Sequence, residues 1–362
     1  MIIEYSAYIL PHIGDKFSQC ADRFSCGRTN NSFAIADGVG NSLFPGEWAT
    51  LLCDDFVENP VSFLSETRLI HEDSLIEKWE KQRADRIKNL TEDEKFIYEM
   101  GLEKADFAAC TFVGLLLEKE GWKCSAIGDS YLFILDNEFQ IIDKIASMVG
   151  HEFDNFPEYF ASKKGENNGT VVEKSGVYEN VSFFVLMTDA LSDWFIDADP
   201  SKRETLLMKK NHPEFEEFVN AERQSSLMKD DDTTMVVLRI LQDDSNNISL
   251  HENQVDNLEV LISSEETERD FFEKRICSIN EKDVFEEREA NISSNPYPEE
   301  YSESRNKSVE KLERDYKSIK SELKRTNQSK RKLNLKISRL LDIIDNLLKI
   351  LKNGTSDERP NK

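Results

Sequence analysis

Apolar runs of strand length recur along the chain, and four of them carry an aspartate at one end. Phe33–Ala36 is long enough for a buried strand and too short for a helix, and it stops at Asp37-Gly38. Lys123–Ile127 leads into Gly128-Asp129-Ser130, after which Tyr131–Leu135 is again apolar. Val181–Met187 delivers Thr188-Asp189-Ala190, and Asp230-Asp231-Asp232-Thr233-Thr234 opens the run Met235–Leu238. Tyr5–Leu10 and Phe107–Glu118 add further strand runs. Helical spacing covers Glu47–Val57, closed by Pro60, and returns at Pro200–Met208 and Pro213–Arg223. From Ser62 to about Glu103 the pattern stays helical and highly charged, the mark of a solvated face. Strands and helices come in blocks and do not alternate singly. The pattern predicts an α+β fold of two packed antiparallel sheets flanked by helices, an α-β-β-α sandwich.

After Leu241 the pattern changes. Residues 243–304 carry 18 acids against 5 bases with few clustered apolar residues, which reads as a largely disordered acidic linker over 243–306. A short element at Val255–Ile262 or Phe271–Ile276 is compatible with that reading. Val309, Leu312, Tyr316, Ile319, Leu323, Thr326, Lys330, Leu333, Ile337, Leu340, Ile344, Leu347 and Leu351 then step by three and four. This heptad seam predicts a coiled-coil helix over 307–353 that self-associates as a dimer or higher oligomer, with back-folding onto the globular part as the competing arrangement. Gly354 ends it, and 354–362 is a polar tail. The folded domain is placed at 1–242.

The 362 residues carry a formal net charge of −24, which argues against general nucleic-acid binding. Neither a basic-then-apolar start nor an apolar run of about 20 residues is present, so no signal peptide and no membrane span is expected. The six cysteines show no Cys-x-x-Cys pair and read as core thiols of a cytoplasmic protein.

The acids carry the candidate chemistry. A plain Asp-Gly hairpin turn accounts for Asp37 alone, but not for the same grammar repeated. Carboxylates converging from separate strands repel unless they share cations, and hard oxygen donors suit Mg²⁺ or Mn²⁺. Asp37, Asp189 and Asp231 therefore suggest a site for two divalent ions about 3.5–4 Å apart, which would lower the pKa of a shared water for attack on phosphorus. A serine-hydrolase reading lacks a Gly-x-Ser-x-Gly elbow, and no Gly-x-x-x-x-Gly-Lys loop is present. The five histidines are scattered without ligand spacing, and His12 stands out only for its neighbourhood.

In order, Ala-Asp-Arg-Phe, Asp-Gly-Val-Gly, Gly-Asp-Ser, Thr-Asp-Ala-Leu-Ser-Asp-Trp and Asp-Asp-Thr-Thr-Met-Val-Val resemble the metal-dependent type 2C protein serine/threonine phosphatases, bacterial members above all. The resemblance covers about residues 1–242 and includes Ala108-Ala109-Cys110-Thr111, a small-residue strand ending in threonine. It implies that Asp37 bridges two Mn²⁺ or Mg²⁺ ions, that the Gly38 carbonyl binds one, and that Asp189 and Asp231 complete the other. By the same resemblance Asp22 orients metal-bound water, and Asp129 serves a third, weaker ion or is simply a turn residue. Asp232 falls where an Asn or Asp bonds nearby backbone. The implied activity is hydrolysis of phosphoserine or phosphothreonine on protein partners, in signalling.

Three positions depart from the pattern. Phe17-Ser18-Gln19-Cys20 lacks the arginine that grips the substrate phosphate, leaving Lys16 or Arg23 as stand-ins. Val39 replaces a histidine common in eukaryotic members, and Ala190 replaces a glycine. None removes a metal carboxylate, so an active enzyme is expected. The alternative is a weak or inactive module that recognises phosphorylated partners while its coiled coil scaffolds.

Overall fold

The computed structural model describes residues 1–40, 42–64, 68–90, 106–150, 157–242 and 247–265. The 307–353 heptad seam, the linker beyond 265, His151 and Cys277 lie outside the described residues.

The fold follows from strands whose two faces are both apolar but face different cores. In β3 (Ser32–Ala36), Phe33 and Ile35 enter the core between two sheets, while Ala34 and Ala36 face the helices outside. In β11 (Phe183–Met187), Phe184 and Leu186 enter that same central core, and Phe183, Val185 and Met187 face helices on the opposite side. Burying each such side chain contributes about 1.5–3 kcal/mol, so a one-residue slip that swaps the faces is strongly disfavoured.

One sheet has six strands in the order β13-β1-β12-β11-β7-β8, built from β1 (Ile2–Leu10), β7 (Tyr131–Leu135), β8 (Ile141–Ile145), β11, β12 (Thr233–Gln242) and β13 (Ser249–Val255). The other has five in the order β10-β6-β5-β3-β2, from β2 (Arg23–Gly27), β3, β5 (Phe112–Glu118), β6 (Gly121–Ile127) and β10 (Val172–Gly176). A short pair joins β4 (Ala109–Cys110) to β9 (Phe160–Ala161). Outside the five-stranded sheet, α1 (Pro45–Glu58), α2 (Pro60–Phe63) and α3 (Arg68–Lys88) bury Trp48, Phe56, Phe63 and Trp79. Outside the six-stranded sheet, α4 (Asp189–Asp197), α5 (Pro200–Leu207) and α6 (His212–Gln224) bury Phe195, Leu206 and Phe215. Three cores separated by two sheets make the α-β-β-α sandwich.

The expected sandwich of antiparallel sheets is present, with one added strand. The sheets are antiparallel except for β13, which runs parallel to β1 with Ile2 opposite Ser249. That strand also corrects the domain end expected at 242, because Ser249–Val255 and the helical turns at 258–265 belong to the folded domain. The segment is pinned at both ends: Met1 donates to the Asn247 carbonyl at 2.8 Å, and the Phe17 N–H donates to Glu265 Oε2 at 3.0 Å.

Between these ends the Asp256 carboxylate accepts the Ile9 N–H at 3.0 Å and lies 2.6 Å from His212 Nδ1. Burial pulls the His212 pKa down, but the hydrogen bond to Asp256 and the charges of Asp256 and Glu216 outweigh it and leave the imidazole raised above 6.5. The folded state therefore holds this proton more tightly than the unfolded chain. The pair's contribution is complete below the ordinary imidazole value and is lost as pH rises through the higher folded value. Thermal melts from about pH 6 to about pH 9 should show this loss in the parent and a flatter profile in His212→Gln. Parallel profiles would exclude the pair as a stabilising contact.

Candidate active site

Asp37 follows β3 directly, and its backbone is clamped on both sides by one residue. Its N–H donates to Thr111 Oγ1 at 3.2 Å, and its carbonyl accepts the Thr111 N–H at 2.9 Å. The Thr111 hydroxyl in turn lies 2.7 Å from Ser130 Oγ, beside Asp129. This diversion of Thr111 to Asp37 is why the single run Phe107–Glu118 splits into β4 and β5. Thr111→Val keeps the shape but leaves the Asp37 N–H and the buried Ser130 hydroxyl short of a partner. It should cost about 1–3 kcal/mol in a denaturant titration, and an unchanged midpoint would mean the clamp contributes nothing.

Gly38 is required by proximity. A Cβ there would sit 2.7 Å from Pro45 Cβ, 2.8 Å from Ala21 Cβ and 2.9 Å from the Ala21 carbonyl oxygen. Gly128 adopts φ +95°, which sets Asp129 and Ser130 at the start of β7.

Threonines join the remaining motifs. Thr188 Oγ1 donates to Asp22 Oδ2 at 2.9 Å and accepts the Thr234 N–H at 2.9 Å, linking the acid before β2 to the ends of β11 and β12. Asp189 opens α4, where a negative charge is favoured by the helix dipole. Its Oδ1 accepts the Ala190 N–H at 2.6 Å. Asp232 holds the loop before β2, accepting the His12 N–H at 2.9 Å and the Ala21 N–H at 2.7 Å.

The carboxylates act on one another electrostatically. Burial pushes the Asp37 pKa well up, and Asp22, Asp189, Asp129 and Asp231 push it further by their negative charge. Asp22 is fully buried and also raised, by desolvation first and by Asp232 and Asp189 next, against the Thr188 hydrogen bond. The cation inserted among them is Lys229, with Nζ 2.9 Å from Asp189 Oδ2 and 3.1 Å from Asp231 Oδ2. The structure therefore brings Asp22, Asp37, Asp129, Asp189 and Asp231 into one electrostatic cluster at one end of the sandwich.

Among the described residues, no three His, Cys, Asp or Glu side chains form a ready metal-binding group. The donor chemistry still fits a hard cation. It is all oxygen, mutually repelling and short of positive charge, and Mg²⁺ keeps several waters and takes only one or two carboxylates.

Sequence reasoning missed two cations. Lys229 is one. The other is Arg223 on α6, which donates from Nη1 to the Pro11 carbonyl at 3.0 Å and from Nη2 to Thr233 Oγ1 at 2.7 Å and to the Asp231 carbonyl. Of the residues considered as stand-ins for the phosphate-gripping arginine, Lys16 is exposed. Arg23 donates to Thr50 Oγ1 at 3.1 Å and to the Cys20 carbonyl at 2.7 Å. His12 Nε2 sits 3.2 Å from Asp230 Oδ2, at the rim of the cluster.

The family model described as protein phosphatase 2C matches residues 12–231. The chain belongs to the protein phosphatase 2C family. The matched span contains Asp22, Asp37, Asp129, Asp189 and Asp231, and its first residue, His12, donates its N–H to Asp232, the residue just past its last. Among solved structures, the chain is similar to serine/threonine phosphatase Stp1 from Staphylococcus aureus at 14% identity and TM-score 0.44, covering 67% of this chain and 96% of that one. It is similar to PppA, a regulatory component of T6SS in Pseudomonas aeruginosa, at 17% identity and TM-score 0.45, covering 66% and 98%. It is also similar to the Mycobacterium tuberculosis serine/threonine phosphatase PstP/Ppp at 16% identity and TM-score 0.42, covering 67% and 100%. No curated protein sequence matches.

Proposed function

We propose that this phosphatase 2C chain hydrolyses phosphoserine and phosphothreonine on protein substrates. The observation that carries the reading is that Asp22, Asp37, Asp129, Asp189 and Asp231 all lie beside strand ends at the same end of the two sheets. Asp37, the Gly38 carbonyl, Asp189 and Asp231 would hold two Mn²⁺ or Mg²⁺ ions, with Asp129 at a third, weaker position. Bound there, such ions supply a water acidic enough to ionise near neutral pH and neutralise charge on the phosphate.

The chain's own residues then have distinct tasks. Asp22, fixed by the Thr188 hydroxyl, orients the attacking water and accepts hydrogen bonds from it. Asp232 and Arg223 hold the two loops that carry Asp22 and Asp231. A cysteine nucleophile is disfavoured: burial pushes the Cys20 and Cys110 thiols well up, so neither supplies thiolate at neutral pH.

The sequence 307–353 is proposed to form the coiled coil expected of it and so to dimerise the chain or dock partners. Solution mass with and without 307–353 tests this, and a monomer in both forms would remove it. A cytoplasmic setting belongs to the same proposal, in keeping with five free cysteines among the described residues and no described helix long and apolar enough to cross a membrane.

A second reading, recognition of phosphorylated partners without turnover, is favoured by one observation: the guanidinium of Arg23 is tied to Cys20 and Thr50 and not presented to a phosphate. Hydrolysis of a phosphothreonine peptide with Mn²⁺ decides between them. Turnover that needs the metal and vanishes in Asp189→Asn supports the enzyme. Metal binding without turnover supports recognition.

A further inference from the structure

Lys229 stands on the segment between α6 and β12, three residues after Ser226, whose φ is +60°. Its ammonium bridges Asp189 Oδ2 at 2.9 Å and Asp231 Oδ2 at 3.1 Å, and its side chain is about two-thirds buried, being 33% exposed. These two acids come from different elements, one from the start of α4 and one from the entry to β12. They have no covalent reason to be close, and without a cation between them they would repel. The remaining nearby guanidiniums, Arg23 and Arg223, are held by backbone carbonyls and hydroxyls and face neither acid's Oδ2. The ammonium therefore occupies the place between the two carboxylates that the proposed function gives to a divalent ion.

We infer that Lys229 is the resident counter-cation of the Asp189–Asp231 position, and that a divalent ion binds there by exchange for its ammonium. The inference rests on the two-ion reading of the site. The same carboxylate oxygens cannot serve both cations at full strength, since each additional positive charge at hydrogen-bond distance is repelled by the first. Loading at this position is thus weaker than the carboxylates alone would give, and the metal-free fold is held together there by its own side chain. Position 229 also lies on the connection into β12, so exchange swings the ammonium out on a flexible four-carbon stem without moving either sheet.

Calorimetric titration of the metal-free, full-length chain with Mn²⁺ tests this, with Lys229→Met retaining the apolar stem. Asp189→Asn identifies which binding step belongs to this position. Lys229→Met should bind Mn²⁺ at that step about tenfold more tightly and melt lower than the parent without metal, as expected on removing two partly screened ion pairs. Equal or weaker Mn²⁺ affinity in the variant, with both steps present, overturns the exchange while leaving the two-ion reading intact. Absence of any Mn²⁺ binding in parent and variant removes both.

A second measurement needs no variant. Reductive methylation of the parent, read by peptide mass analysis, should label Lys229 several-fold more when Mg²⁺ is present than when it is chelated. Equal labelling in the two conditions, with Mg²⁺ binding verified by calorimetry, also overturns the inference.

Discussion

Asp37→Asn should lose turnover by about 10³-fold or more and yet melt higher than the parent in the absence of metal. The first effect follows from removing the carboxylate proposed to bridge both ions, where the charge stabilisation at stake is several kcal/mol and each 1.36 kcal/mol is about tenfold in rate. The second follows from the cluster. Asp37 is pushed up by desolvation and then by Asp22, Asp189, Asp129 and Asp231, so its charge opposes folding when no cation is bound. A neutral amide of the same shape removes that repulsion. In a domain of this size about 1 kcal/mol corresponds to about 2–4 °C, so a gain of a few degrees is expected in chelator. Addition of Mn²⁺ should reverse the order, because only the parent gains from binding. Melting curves with chelator and with Mn²⁺, alongside peptide hydrolysis, check both halves. Parental turnover in Asp37→Asn would remove Asp37 from the chemistry, and a lower melting point in chelator would mean its charge is already compensated.

Gly38→Ala should damage activity far more than its single methyl suggests. The added Cβ would meet Pro45 Cβ at 2.7 Å, Ala21 Cβ at 2.8 Å and the Ala21 oxygen at 2.9 Å, all attached directly to backbone. None is the far end of a flexible side chain, so the chain at 37–38 must shift. Overpacking of this kind costs about 1–3 kcal/mol. The shift also displaces the Gly38 carbonyl and the Asp37 carboxylate together, and the adjoining residue Ala21 carries the N–H held by Asp232. A displacement of about 1 Å in a positioned group costs on the order of 10² in rate. The variant should therefore remain folded by circular dichroism while kcat for phosphothreonine peptide falls about 10²-fold. A kcat within twofold of the parent would show that the backbone here yields without moving the site.

Much of this site could be read along the chain because each acid sits at a change of local pattern. The run Phe33–Ala36 ends at a dipeptide that cannot continue a strand, and Phe183–Met187 ends where a helix begins. Helices read as Glu47–Val57 and Pro213–Arg223 are Pro45–Glu58 and His212–Gln224, shifted only at their ends. What stayed hidden depends on partners distant in the chain. β13 reads Ser-Leu-His-Glu-Asn-Gln-Val, mostly polar and largely exposed at the sheet edge, so no apolar alternation announces it. It forms because β1 offers an open edge. No local pattern marks Lys229 or Arg223, and only the tertiary fold sets one between Asp189 and Asp231 and joins the other to the Asp231 carbonyl.

The place of β1 has a consequence for how the chain can be made. β1, which precedes the other described strands in the chain, is an interior strand of its sheet, bordered by β12 on one side and β13 on the other. Both neighbours are encoded more than 200 residues later, Thr233–Gln242 and Ser249–Val255. Ile3, Tyr5 and Ala7 thus wait through nearly the whole synthesis of the domain before their backbone is paired. Such long-range closure is slow and leaves the apolar edges of β1 open until the last two strands of its sheet are made.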